Sequence, residues 1–140
     1  MQKFTLSVTF LIFFLFIANF YTKSQDTERH TTGIQILNAK LGKDVKDRML
    51  VDEDSTFELN TKVFLWMKVS GEANSTIQIH WKPPPVSEQS VVQPIVTELK
   101  IGGNPWRTWA YRTAYKVGEW TVTITDNEGQ VIKELNYHVR

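Results

Sequence analysis

Beyond residue 24 the apolar residues recur at every second position, and no segment sustains the spacing of a helix. Val63, Leu65, Met67 and Val69 alternate with Phe64, Trp66 and Lys68. Ile77, Ile79 and Trp81 alternate with Gln78, His80 and Lys82. Trp120, Val122 and Ile124 alternate with Thr121, Thr123 and Thr125. Such runs bury one side of a pleated strand, and turn residues punctuate them at intervals near ten. The pattern predicts an all-β chain, an antiparallel immunoglobulin-like β-sandwich of about seven to eight strands over residues 33–140.

Strands are expected at 33–40, 55–59, 63–69, 76–81, 91–101, 120–125 and 130–139, with the aromatic stretch 104–120 supplying another. The run 63–69 is apolar on both faces, which fits a central strand or one that carries a binding face. Pro83-Pro84-Pro85 ends the strand before it, because proline gives no donor to a ladder. Gly102-Gly103-Asn104-Pro105 is a dense turn signal. Asp126-Asn127-Glu128-Gly129 suits a hairpin turn closed by the glycine. Residues 41–51, crowded with charge, read as a connecting loop. Asp52-Glu53-Asp54 reads as a solvated acidic turn, because the glycine and alternating Asp/Asn of a dedicated calcium loop are missing.

The first residues look like an export signal. Lys3 precedes an apolar run from 4 to 20, and Thr22 and Ser24 suit the small positions before a cleavage site. A cut after Ser24 gives residues 1–24 as signal peptide and 25–32 as a polar lead-in. The alternative is an uncleaved membrane anchor. The chain has no cysteine, which excludes lipidation at the cut, disulfides, thiolate metal sites and cysteine nucleophiles. A domain without disulfides must stand on its core. This fits a bacterial periplasm or exterior. Residues 25–140 hold 14 basic and 15 acidic side chains, so no overall charge calls for nucleic acid. Asn74-Ser75-Thr76 matches a glycosylation acceptor, which matters only in a eukaryotic host.

Catalytic signals are sparse. The three histidines are His30, His80 and His138, too scattered for a histidine metal site. No nucleophile elbow and no phosphate-cradling glycine loop is present. Glu98 and Glu119 are the candidates for a glycosidase pair, without supporting context. The expectation is a non-enzymatic chain without metal or cofactor.

The binding signal lies in 104–120, which holds three of the five tryptophans and two of the four tyrosines. Strand parity puts Trp106, Thr108, Ala110, Arg112 and Ala114 on one face. It puts Arg107, Trp109, Tyr111, Thr113 and Tyr115 on the other. Exposed rings beside donors hold sugars or peptides by stacking and hydrogen bonding. The competing and preferred expectation is that these rings pack across the sandwich, their edges covered by the arginines. The candidate set is Arg107, Trp109, Tyr111 and Tyr115, with His80 added. Trp81 is expected in the core, and His80 is expected to bond to a neighbouring strand.

Residues 63–71 (Val-Phe-Leu-Trp-Met-Lys-Val-Ser-Gly), His80-Trp81, Trp106-Arg107-Thr108-Trp109, Gly118-Glu119-Trp120-Thr121-Val122 and Asp126-Asn127-Glu128-Gly129-Gln130-Val131 together resemble the bacterial domain family DUF2914. The resemblance runs from about Ile34 to Val139. It implies a bacterial envelope or exported setting and, because the family has no known function, no activity or catalytic residue. Pro83–Pro85 stands where the family pattern has a shorter hairpin. The reading that follows is an exported binding module of the envelope, with a glycan or peptide ligand. The alternatives are a module docking onto another envelope protein, or a cell-wall carbohydrate-active enzyme.

Overall fold

The computed structural model describes residues 33–140. The signal segment and lead-in expected over 1–32 lie outside the described residues. Nine strands form two stacked sheets: β1 (Gln35–Lys46), β2 (Met49–Glu53), β3 (Thr56–Phe57), β4 (Lys62–Ser70), β5 (Thr76–Lys82), β6 (Ile95–Lys100), β7 (Trp106–Thr113), β8 (Gly118–Thr125) and β9 (Val131–Val139). One sheet runs β2-β1-β4-β7 and the other β3-β9-β8-β5-β6. All ladders are antiparallel except the short pairing of β3 with β9. The β-sandwich expected from alternation is therefore present, with nine strands and one parallel pairing.

The period-two pattern decides the core. Val63, Leu65, Met67 and Val69 of β4 are buried against Ile77, Ile79 and Trp81 of β5 and Trp120, Val122 and Ile124 of β8. Tyr137, Val139 and Phe57 complete the inner layer. Fully burying one such aliphatic side chain stabilises the fold by about 1.5–3 kcal/mol. Trp120 stacks on Tyr137 with centroids 5.7 Å apart, and Phe57 meets Tyr137 edge-on at 5.6 Å. The expected inner placement of Trp81 holds, with no exposed surface.

The expected loop at 41–51 is instead a hairpin. β1 runs unbroken to Lys46, turns through Asp47 and Arg48, and returns as β2, with Lys46 opposite Met49. Both turn residues have positive φ, 50° and 62°, the mirror-image geometry that two-residue hairpins require. Without an Asn-Gly pair the turn carries no sequence signal, and the exposed faces of β1 and β2 account for the charges. The acidic turn is likewise corrected, since Asp52 and Glu53 belong to β2. Glu53 pairs with Lys40 at 2.8 Å, and Asp54 Oδ1 accepts from the Ser55 and Thr56 amides.

The strand expected at 91–101 begins only at Ile95, directly after Pro94, so residues 83–94 form a long connection. The expected hairpin at 126–129 is present. Asp126 Oδ1 accepts from the Glu128 and Gln130 amides, both at 2.9 Å, and Gly129 takes φ 81°.

The hairpin tip bends back over the outer face of the β1–β4–β7 sheet. Its Arg48 carbonyl accepts a 2.9 Å hydrogen bond from the Trp66 indole of β4. The bend needs Gly42, because a Cβ there would stand 2.8 Å from the Leu50 side chain and 2.9 Å from the Val51 carbonyl oxygen. Leu50 therefore lies where only a glycine lets it come so close.

Candidate functional site

The outer face of the four-stranded sheet is built from three cross-strand rows. Asn38, Lys68 and Arg107 stand opposite one another on β1, β4 and β7. Lys40, Trp66 and Trp109 form the second row, and Gly42, Phe64 and Tyr111 the third. Strand alternation puts all nine on one face, and directly opposed side chains are close enough to touch. Phe64 and Tyr111 do so, their ring centroids 5.3 Å apart and tilted by 37°. The Lys62 ammonium sits 4.7 Å from the Tyr111 ring centroid, a cation over a π face.

The rings of β7 point outward. Trp109 is 38 % exposed and Tyr111 51 % exposed, while Ala110 between them is buried. The parity read from the sequence is correct, and the preferred expectation that these rings pack across the sandwich is overturned. The inner positions hold smaller or longer side chains, Thr108, Ala110 and Arg112, and the Arg112 guanidinium donates to Thr97 Oγ1 of β6 at 3.1 Å. On that inner side Trp106 packs, partly buried, against the core that holds Trp81, Trp120 and Tyr137.

Trp66 differs from its neighbours. It shares the outer face but is only 5 % exposed, because the β1–β2 hairpin covers it. The same tip carries Arg48 to the start of β7. Its guanidinium lies 5.0 Å from the Trp106 ring centroid and donates to the Arg107 carbonyl at 3.4 Å. Trp106 itself is fixed from below. A Cβ on Gly102 would lie 2.7 Å from the indole, so the bare backbone of that turn is its floor. The Asn104–Pro105 peptide is cis, and Ser70 Oγ donates to Asn104 Oδ1 at 2.8 Å, which ties the turn to the end of β4.

Two shallow depressions adjoin here. One, of about 330 Å³, is lined by Arg48, Trp106, Arg107, Thr108 and Trp109. The other, of about 280 Å³, is lined by Arg48, Lys68, Pro105 and Arg107. A wider hollow of about 460 Å³ lies elsewhere, between Lys43, Asp54, Glu58 and Arg140. Two of its three cations are matched, Lys43 to Asp54 at 3.5 Å and Arg140 to Glu58 at 2.9 Å, and the third, Lys62, lies over the Tyr111 ring. The Thr56 amide, then the Ser55 amide and Lys43, hold the Asp54 carboxyl below its ordinary value, against the opposing pull of burial.

The remaining candidates lie apart from the rings. Tyr115 follows the end of β7 at Thr113, where strand parity no longer governs. It meets Trp120 edge-on at 5.1 Å and borders a hollow with Pro83, Pro84 and Lys116. His80 is on β5, in the other sheet, and its Nε2 lies 3.1 Å from Thr125 Oγ1 of β8, the neighbouring-strand bond expected for it. Burial pushes the phenol of the core Tyr137 up, so it stays neutral. Glu98 stands opposite Gln78, and Gln78 opposite Thr125; Glu119 lies six residues further along β8 and bonds His138 at 2.6 Å. Six residues of strand is about 20 Å, too far for the pair of carboxylates a glycosidase needs. Among the described residues no group of three or more histidine, aspartate or glutamate side chains could hold a metal ion.

Sequence reasoning therefore found Arg107, Trp109 and Tyr111 and missed Arg48, Phe64, Trp66 and Lys68 as their neighbours. The β4 residues were visible as the second apolar face of 63–69. Arg48 had no local signal, because its role depends on the hairpin folding back.

No curated protein matches the chain. Among solved structures, the Pseudomonas fluorescens alkylpurine DNA glycosylase AlkC, bound to DNA containing an abasic site analog, is similar in fold, with a TM-score of 0.52 at 10 % identity. The likeness covers 78 % of this chain but 31 % of that one, so this chain spans under a third of the larger protein. At that identity it speaks for the fold alone. The family described as protein of unknown function (DUF2914) matches residues 85–139, which include Trp106-Arg107-Thr108-Trp109 and Gly118-Glu119-Trp120. The motifs at 63–71 and 80–81 stand upstream of the matched stretch. The resemblance drawn from the aromatic motifs is thus supported over residues 85–139, the stretch that is similar to DUF2914.

Proposed function

We propose that this chain is a non-enzymatic binding module of the bacterial cell envelope that holds an extended ligand, glycan or peptide, on the outer face of the β1–β4–β7 sheet. One observation carries the reading: Trp109 and Tyr111 expose their rings beside Arg107 on a rigid strand. Outward rings of this size cost solvent ordering unless something covers them, and flat rings with donors at their edge suit stacking ligands. Lack of cysteine and the apolar leader support export to the periplasm or exterior. The test is a Trp109→Ala/Tyr111→Ala variant probed on arrays of envelope polysaccharides and peptides. Neither ring is in the core, so the variant keeps a cooperative thermal transition and loses the binding that the native chain shows. A folded variant that binds like the native chain overturns the reading.

A second reading, docking onto another envelope protein, is favoured by the shallowness of the face. It predicts that a crosslinker placed at residue 109 captures one defined protein from an envelope extract while the arrays stay blank. Ligand binding on the arrays excludes it.

A further inference from the structure

We infer that the notch formed by Arg48, Lys68 and Arg107 takes the anionic substituent of an acidic polysaccharide, a uronate carboxylate or a sulfate ester, whose sugar rings continue over Trp109 and Tyr111. This rests on the reading of the outer face as a binding surface and adds the chemical class of its ligand.

Four observations converge. The two depressions at the start of β7 share Arg48 and Arg107, and Lys68 lines the second. None of these three cations is ion-paired with a carboxylate of the described residues, whereas Lys40, Lys43 and Arg140 each are. Lys68 and Arg107 stand directly opposite each other across the β4–β7 ladder. Like charges so placed repel, and an anion between them removes the repulsion. Finally, the hairpin tip holds the Arg48 guanidinium over the start of β7, 5.0 Å from the Trp106 ring centroid and 3.4 Å from the Arg107 carbonyl oxygen.

The rings beside the notch select among polyanions. Trp109 and Tyr111 offer faces to sugar rings along the strand, and Lys62 adds a cation at the Tyr111 end. From Lys68 to Lys62 along β4 is about 20 Å of strand. The platform thus suits a chain of several sugar units with charge at intervals. Duplex DNA is less suited, because its binding draws on a broad basic surface and this chain is nearly charge-balanced. An acidic peptide added as a strand would read the backbone at a sheet edge, not cations on the face.

The experiment is calorimetric titration of the full chain with polygalacturonate, its fully methyl-esterified form, dextran sulfate and unmodified dextran. Duplex DNA and poly-glutamate serve as competitors. Three variants accompany it: Arg107→Gln, Arg48→Gly, which keeps the left-handed backbone but removes the guanidinium, and the double variant. Binding is expected with polygalacturonate, dextran sulfate or both, and the stronger of the two identifies carboxylate or sulfate. The neutral partners and the double variant are expected to bind about tenfold weaker or less, with a loss of salt dependence. Equal binding of charged and neutral polymers overturns the anionic notch while leaving a glycan-binding face intact. Competition by DNA or poly-glutamate at equal strength overturns the polysaccharide assignment. No binding to any polysaccharide, with the native chain still binding peptides on the arrays, overturns the inference but not the binding module.

Discussion

Trp66→Phe tests whether one indole holds the β1–β2 hairpin against the sheet. Trp66 is buried on a face that strand geometry turns to solvent, and only the folded-back hairpin explains that. The substitution removes the N–H that bonds the Arg48 carbonyl, a loss of about 1 kcal/mol. It also removes the pyrrole part of the indole, a few tens of Å² of contact, for roughly another 1 kcal/mol. The strained pair Asp47 and Arg48 gains by opening, since each left-handed residue holds about 1 kcal/mol or more. A loss of about 2 kcal/mol in the closing of the hairpin corresponds to roughly 30-fold faster amide exchange there. The assay is native-state hydrogen exchange followed residue by residue. Amides of β2 (Met49–Glu53) are expected to lose protection by that factor, while those of β8 and β9 in the other sheet change little. Unchanged β2 protection, or equal loss in both sheets, refutes the idea that the indole pins the hairpin.

Trp120→Ala removes a fully buried ring that stacks on Tyr137 and donates to the Lys116 carbonyl at 2.8 Å; a loss of about 3–5 kcal/mol is expected, read as a fall in the thermal midpoint of at least about 10 °C. Asp54 has a folded pKa below its ordinary value of 3.8, so its contribution is complete above that value and lost as pH falls through the lower folded value. Asp54→Asn, which keeps an oxygen for the Ser55 and Thr56 amides, should therefore flatten the acid limb of a plot of thermal midpoint against pH, and an unchanged limb refutes the assignment.

The inner faces were legible because burial and strand period coincide. Val63 to Val69, Ile77 to Trp81 and Trp120 to Ile124 alternate in sequence as they do in space. The same rule grouped Trp109 and Tyr111 on one face of their strand, as they are, but the expectation that this face packs inward is overturned. Parity alone could not say which face is inner, because that is set by the facing sheet, where Trp81, Trp120 and Tyr137 pack together. Parity left Tyr115 exposed opposite the buried Ala114, but β7 ends at Thr113 and Tyr115 stands beside Trp120, apart from the other rings. It separated His80 from Trp81 but gave no hint that His80 and Arg107 lie on different sheets, since sheet membership is set by pairing between distant strands. The hairpin at 47–48 escaped notice because aspartate and arginine there adopt a backbone for which glycine and asparagine are the usual signal.

The parallel pairing of β3 with β9 has a consequence for how the chain folds. Thr56 stands beside His138, 82 positions later, and the Leu59 amide donates to the carbonyl of Arg140 at 2.9 Å. β7 likewise pairs with β4, and β8 with β5, across the long connection at 83–94. Residues 85–139 taken alone would leave each of their four strands short of a neighbour, and β6 and β7 with none. The contacts that order one half lie in the other half, so closing the sandwich waits for nearly the whole sequence. Folding with such distant pairings falls in the slow, millisecond-to-second class. Until β9 docks, β3 and the inner edge of β8 remain open to any other strand that reaches them first.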